Sequence, residues 1–174
     1  MSSAIISECG NYRYRLDRDM AGFPWPGIGP EPKVFAFFGV NPSTADASID
    51  DATVRKWRGF TIRNGGSKFI VGNVFSYRAT DVKELGRLVD SVPLRGDDHH
   101  RYIHEIIAEA DILVPCWGGL AKMPKALRAY PASLMGLLMK SGKPILHFGV
   151  TSCGQPMHPL MLGYDTPLTP WSKP

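Results

Sequence analysis

Apolar residues in this chain collect in short, dense runs. Val34, Phe35, Ala36, Phe37 and Phe38 lead without a break into Gly39, and Phe69, Ile70 and Val71 lead into Gly72 and Asn73. Runs with no polar alternation predict strands covered on both faces, as in a parallel sheet. Two more are predicted at residues 112–117 and 144–149. Between them the spacing turns helical: residues 50–63, which open on aspartates where the helix dipole favours negative charge, residues 81–89, residues 102–110, and helical material over 121–140 interrupted at Pro131. Tyr12, Arg13, Tyr14, Arg15 and Leu16 alternate, which predicts an edge strand with one wet face. Residues 22–30 are crowded with proline and glycine and predict a loop carrying Phe23 and Trp25. Four apolar strands separated by helices specify an α/β fold: a three-layer α/β/α arrangement with a central, mostly parallel four-stranded sheet, plus an N-terminal edge strand or hairpin.

A length of 174 residues suits one domain with a substantial core. The expected organisation is a single domain over 1–174, with its core at 33–162, an N-terminal strand and loop at 1–32 and a proline-rich tail at 163–174. No apolar run reaches membrane-spanning length and the first residues lack a secretory pattern, so a soluble cytoplasmic protein without a membrane partner is expected. Cys9, Cys116 and Cys153 form no C-x-x-C pair and read as reduced core thiols, with no metal and no cofactor indicated. A net charge of +4 admits a polyanionic partner without requiring one.

Chemistry is expected where the strands end, because in open α/β sheets the loops at the carboxyl edge diverge and bind ligands. The first strand closes on Gly39, Asn41, Pro42 and Ser43; the second on Asn73, followed by Phe75, Tyr77 and Arg78; the third on Trp117 and Gly118; and a loop after the fourth carries His158 and Pro159. Basic residues follow two of these loops, Arg55, Lys56, Arg58 and Arg63 after the first, Lys122, Lys125 and Arg128 after the third.

Gly39-Val40-Asn41-Pro42, a strand ending in Asn73, Trp117-Gly118 and His158-Pro159-Leu160, in that order, resemble the motif layout of the uracil-DNA glycosylase superfamily. The resemblance covers roughly residues 33–162. It implies cleavage of an N-glycosidic bond, with Asn41 orienting a water, Asn73 reading the edge of a base and His158 donating to the base oxygen that becomes anionic. Gly39, Pro42, Ser43, Trp117 and Gly118 then form the pocket. Phe37, Phe38, Phe75 or Tyr77 are candidates to stack on the ring, Arg78 joins the substrate contacts, and Arg55, Arg58, Lys122 and Lys125 are candidates for a nucleic-acid backbone. One departure is that apolar residues follow His158-Pro159 where members of that superfamily commonly carry serines.

The Asn-Pro-Ser-Thr-Ala-Asp run at 41–46, with residues 50–55 and 73–80, also looks like an uncharacterised bacterial and phage family, domain-of-unknown-function family 1643, which brings no chemistry of its own. The expected function is DNA base processing by a glycosylase acting on a base that is normal or modified, with DNA or a nucleotide as partner and no protein partner assigned. The alternatives are a nucleotide- or base-modifying enzyme using the same pocket, with Asp46, Asp50 and Asp51 available to Mg²⁺, and a non-catalytic binder.

Overall fold

A computed structural model describes residues 2–20, 31–43, 45–46 and 48–172. The expected loop with Phe23 and Trp25, and Thr44 of the Asn-Pro-Ser-Thr-Ala-Asp run, lie outside the described residues.

The elements follow in the order β1 (Ser3–Ile6), β2 (Arg13–Asp19), β3 (Lys33–Gly39), α1 (Ala52–Arg63), β4 (Gly66–Asn73), α2 (Val82–Leu88), α3 (His99–Glu109), β5 (Ile112–Pro115), α4 (Tyr130–Lys140), β6 (Leu146–His147) and β7 (Thr169–Pro170). Five strands form one mixed sheet in the order β1-β2-β4-β3-β5. β3 runs parallel to β4 on one side and β5 on the other, while β2 lies antiparallel to β4 and β1 antiparallel to β2. The fold is α/β, with a five-stranded mixed sheet in place of the expected four-stranded, mostly parallel one.

Two sequence expectations fail here. The alternating segment at 12–16 is not an edge: β2 pairs on both sides, and the short β1 takes the edge. The run at 144–149 does not complete the parallel sheet. It touches β5 through one bridge, Leu113 to Ile145, before Leu146 and His147 turn away to pair with Thr169 and Pro170. Pro144 has no N–H to give a ladder and Gly149 sits at φ +112°, a conformation that ends a strand.

The central run is apolar throughout because each face is covered. Phe35 and Phe37 point with Leu16, Phe69 and Val71 toward Val54, Trp57 and Phe60 of α1. Ala36 and Phe38 point with Ile70 and Leu113 toward Ile103 and Ile106 of α3, Leu85 of α2 and Leu134 of α4. The phenylalanines expected as stacking platforms are core, Phe37 lying against Trp57 and Phe75 packing on Tyr130 with ring centres 5.0 Å apart, while the half-buried Tyr77 packs edge-on against Tyr12. Pro131 does not interrupt a helix but lies in the first turn of α4, where a missing N–H costs nothing. Of the thiols only Cys116 is buried; Cys9 and Cys153 are exposed. No helix among the described residues is long and apolar enough to cross a membrane.

Candidate functional site

Parallel pairing of β3 and β4 places Gly39 directly beside Asn73 at the carboxyl edge. The absent side chain at Gly39 is what admits the neighbour: a Cβ there would stand 2.9 Å from Asn73 Oδ1 and 3.6 Å from the Trp57 indole. The two strand-end loops are then laced together. Val74 N–H donates to Gly39 O, Phe75 N–H to Val40 O, and Ala79 N–H to Pro42 O. Asn41 continues the lacing, its Nδ2 donating to Ala79 O at 2.7 Å and Pro42 O at 3.0 Å, which leaves its carbonyl oxygen unspent.

These loops wall a cavity of about 470 Å³, completed by the first turn of α1, the residues entering α2, and His158. Asp51 caps α1 by accepting from Val54 N–H at 2.9 Å, and Asp81 caps α2 by accepting from Lys83 N–H. Asn73 is 4% exposed, lines the cavity, and makes no side-chain hydrogen bond to any described residue. A second, more apolar cavity of about 520 Å³ adjoins the first, sharing Val40, Val82 and His158 as the partition. Trp117, Gly118, Lys122, Met157 and the exposed Leu160 and Met161 line it.

His158 is positioned from two sides. Gly118, at φ +81°, lies against it, and Gly118 N–H donates to Pro156 O. Lys56 Nζ of α1 donates to Leu162 O at 2.6 Å, and Tyr164 packs over Gly59 with Lys56 and Arg63 on its ring. The His158 Nδ1 accepts from Leu160 N–H at 3.3 Å, so in the neutral ring the proton sits on Nε2. Burial, with Lys122 nearby, holds its pKa below the usual 6.5, and the ring is neutral at pH 7.

The structure therefore brings Gly39, Asn41, Ser43, Asn73 and His158 to one cavity, with Trp117, Gly118 and Lys122 on the next. Pro42 supports the first from behind, its carbonyl tied to Ala79 and Asn41. Phe75, Tyr77, Arg78, Arg55, Arg58 and Lys125 line neither, and the basic rim expected from the spacing is largely turned elsewhere. Arg58 pairs with Asp50 at 2.9 Å, Arg55 donates to Asp50 O, Arg78 to Gly10 O, and Arg128 to Met123 O. The acidic residues offered to Mg²⁺ are also engaged. Asp50 holds Arg18 and Arg58, Asp46 caps its own turn through Ser48 and Ile49, and Asp51 caps α1. Among the described residues no three His, Cys, Asp or Glu side chains gather as a metal site.

Among the wall residues that the sequence pattern does not single out are Trp57 and Arg13. Trp57 reads as an ordinary core position of an amphipathic helix, and only the glycine opposite it opens one edge to the cavity. Arg13 reads as a surface residue of an edge strand, yet it is 3% exposed, its guanidinium donating to Ala45 O at 2.5 Å. Desolvation lowers its pKa to about 10, against the pull of Asp51, so it stays charged at neutral pH.

Residues 13–160 match the family described as "Protein of unknown function (DUF1643)". The chain belongs to the DUF1643 family. In this DUF1643 chain the matched span runs from Arg13, the buried wall of the cavity, through His158 and Pro159, and so includes every segment that builds the site. Neither the curated proteins nor the solved structures provide a match.

Proposed function

We propose that this DUF1643 protein recognises a nucleobase in the cavity at the end of β3 and β4 and hydrolyses its N-glycosidic bond, with a base in DNA as the first substrate to test. The observation that carries the reading is the meeting of Asn41, Asn73 and His158, drawn from three distant segments, on one cavity wall. Cleavage of this bond leaves negative charge on the departing base and cationic character on the sugar, so a site must offer a donor to the first and a water to the second. His158, neutral with Nε2–H free, is a donor whose hydrogen bond strengthens as charge develops on the base. Asn41, with both amide hydrogens committed to backbone carbonyls, presents only its oxygen and can accept from a water and orient it. Asn73 is held without a partner, as a recognition group must be before ligand arrives. The motif order shared with the uracil-DNA glycosylase superfamily supports the same assignment of roles.

The test is incubation with DNA carrying a panel of normal and modified bases, and with the matching nucleosides, followed by mass spectrometry for released bases and abasic sites. Release of a base, lost in His158→Ala, is the expected result. Absence of release from every substrate, with the protein shown folded, refutes the hydrolytic reading.

A further inference from the structure

On the face of the sheet opposite α1, the opening turns of α3 and α4 wall a small cavity of about 250 Å³. Its polar lining is Arg95, His99, His100 and Ser133, and no carboxylate lines it. Asp97 and Asp98, the acidic residues nearest in sequence, line a different cavity beside Tyr14 and Tyr102, and Asp98 pairs with Arg101 at 3.3 Å. Arg95 Nε donates to Val74 O at 3.1 Å and the guanidinium lies over the Tyr130 ring at 4.8 Å, which leaves Nη1 and Nη2 without a hydrogen-bond partner among the described residues. Burial lowers the pKa of Arg95 against the pull of Tyr130, and it stays charged. His99 is 3% exposed; its Nδ1 meets Ser76 Oγ at 2.7 Å, and its Nε2 has no partner among the described residues. With the Ser76 hydroxyl donating to Nδ1, the neutral ring carries its proton on Nε2. Desolvation, then Arg95 and His100, hold the His99 pKa down at about 3, so the groups gathered here repel further positive charge. The helix starts act in the same sense, since neither α3 nor α4 has a side-chain cap to meet the positive end of its dipole.

We propose that this cavity is a binding site for an oxyanion of the phosphate class, held by the Arg95 guanidinium and His99 Nε2–H, with Ser133 at its mouth. A buried donor left unmet is costly, and an unpaired charge more so. Phosphate oxygens answer both, because a guanidinium meets them through paired N–H groups and the imidazole adds another donor. The volume lies below the about 300–1,000 Å³ of pockets that enclose drug-sized molecules, which suits a phosphate group rather than a complete nucleotide. None of these residues lines the base cavity. The two sites meet through Val74 and Ser76, which follow Asn73 and carry the bonds to Arg95 and His99, so an anion bound here steadies the strand end that presents Asn73. Neither site depends on the chemistry proposed for the other. The phosphate can be a free phosphate or phosphomonoester, or part of a nucleic-acid backbone, and the test separates these sources.

The whole protein, in phosphate-free buffer with ionic strength held constant by chloride, is titrated with inorganic phosphate while the ring-nitrogen NMR signals of its histidines are followed. Saturable binding in the millimolar range or tighter is expected, with the His99 Nε2 signal moving most. Arg95→Gln, shown folded by its thermal melt, should bind about tenfold or more weakly, the loss expected of a charge-assisted contact. Lys125→Gln removes a basic residue outside the cavity and should bind as the wild type does. A short single-stranded oligonucleotide without terminal phosphate is then added to the phosphate-loaded protein. Displacement of phosphate from His99 assigns the site to a nucleic-acid backbone, whereas retention assigns it to a free phosphate or phosphomonoester; either result upholds an oxyanion site. A His99 signal that moves no more than in chloride alone overturns the proposal, and so does binding undiminished in folded Arg95→Gln. If Arg95→Gln does not fold, the wild-type His99 signal decides by itself.

Discussion

The same substitution, glycine to alanine within a helix, should change sign between two positions of this molecule. Gly136 in α4 has nothing within 4 Å of where a Cβ would stand, so alanine there simply removes the entropic cost of glycine. Stabilisation of about 0.5–1 kcal/mol is expected. Gly59 in α1 lies under the Tyr164 ring, and its Cβ would fall 2.3 Å from Tyr164 Cε1 and 2.7 Å from Cζ. Tyr164 is 37% exposed, so the ring can swing outward without disturbing the helix, and the cost is what the ring loses. Those losses are two surface cation–π contacts, with Lys56 at 4.3 Å and Arg63 at 5.0 Å, at about 0.5–1 kcal/mol each. The tilted pairing with Phe60, 5.3 Å between ring centres, adds about 0.5–1.5 kcal/mol. Against these stands the gain of about 1 kcal/mol from helix propensity, leaving Gly59→Ala destabilised by about 0.5–2.5 kcal/mol. Urea unfolding of the wild type and both variants reads the difference as a shift in midpoint at constant slope. Should Gly59→Ala be stabilised as much as Gly136→Ala, Tyr164 does not hold the His158 segment to α1 in the way described.

Gly39→Ala should cost about 1–3 kcal/mol by crowding Asn73 Oδ1, and because Gly39 does not adopt a left-handed conformation the loss reports that contact; an unchanged midpoint together with unchanged base binding contradicts it. His99, buried against Ser76 Oγ at 2.7 Å, has its pKa lowered to about 3, mainly by desolvation, so the unfolded chain binds a proton below pH 6.5 that the native state refuses. Stability should therefore fall as pH drops from 6.5 toward 4.5, by up to about 1.4 kcal/mol per pH unit from this group, and His99→Gln should flatten thermal melts across that window. Asp17, Asp50 and Glu109, whose pKa values are lowered within their ion pairs, lose their contribution only at more acid pH. If base excision is confirmed, Asn41→Ala and His158→Ala should lower kcat, by about 10²–10³ for the histidine, whereas Asn73→Ala should raise KM and blur base selectivity. Full activity in both the Asn41 and His158 variants rules out the division of roles.

What could be read from the sequence was whatever depends on neighbours in the chain. The apolar runs at 34–38 and 69–71, the aspartates at the start of α1 and the polar residues at strand ends follow from local pattern, and the two strands that lead to Asn41 and Asn73 are adjacent and parallel as that pattern implies. Arg13 was not legible, because its burial depends on β2 pairing with β4 rather than lying at an edge, a choice made by residues more than fifty positions apart. The 144–149 segment misled because its composition is strand-like, whereas Pro144 and Gly149 set its limits and the last residues of the chain supply its partner. The basic residues misled for another reason. Their spacing placed them correctly after the loops, but spacing does not show that Asp50 already occupies Arg58 or that backbone carbonyls occupy Arg55, Arg78 and Arg128.

The antiparallel seam between β2 and β4 also orders assembly in time. A chain made from its N-terminus produces the β1–β2 hairpin first, but two strands alone are barely stable in water, and the edge that should receive them is not made until residues 66–73 appear. While only the hairpin has been made, Arg18, which in the finished protein donates to Asp17 O, Asp46 O and the Asp50 carboxylate, has two of these three acceptors still to come. The β3–α1–β4 unit closes over a shorter span of chain and can collapse by itself around Phe35, Phe37, Trp57 and Phe69, with the hairpin adding on afterwards. The buried wall at Arg13 is thus among the earliest residues synthesised, yet its strand can take its place in the sheet only after β4 has been made, and the cavity it lines is complete only once His158 has followed.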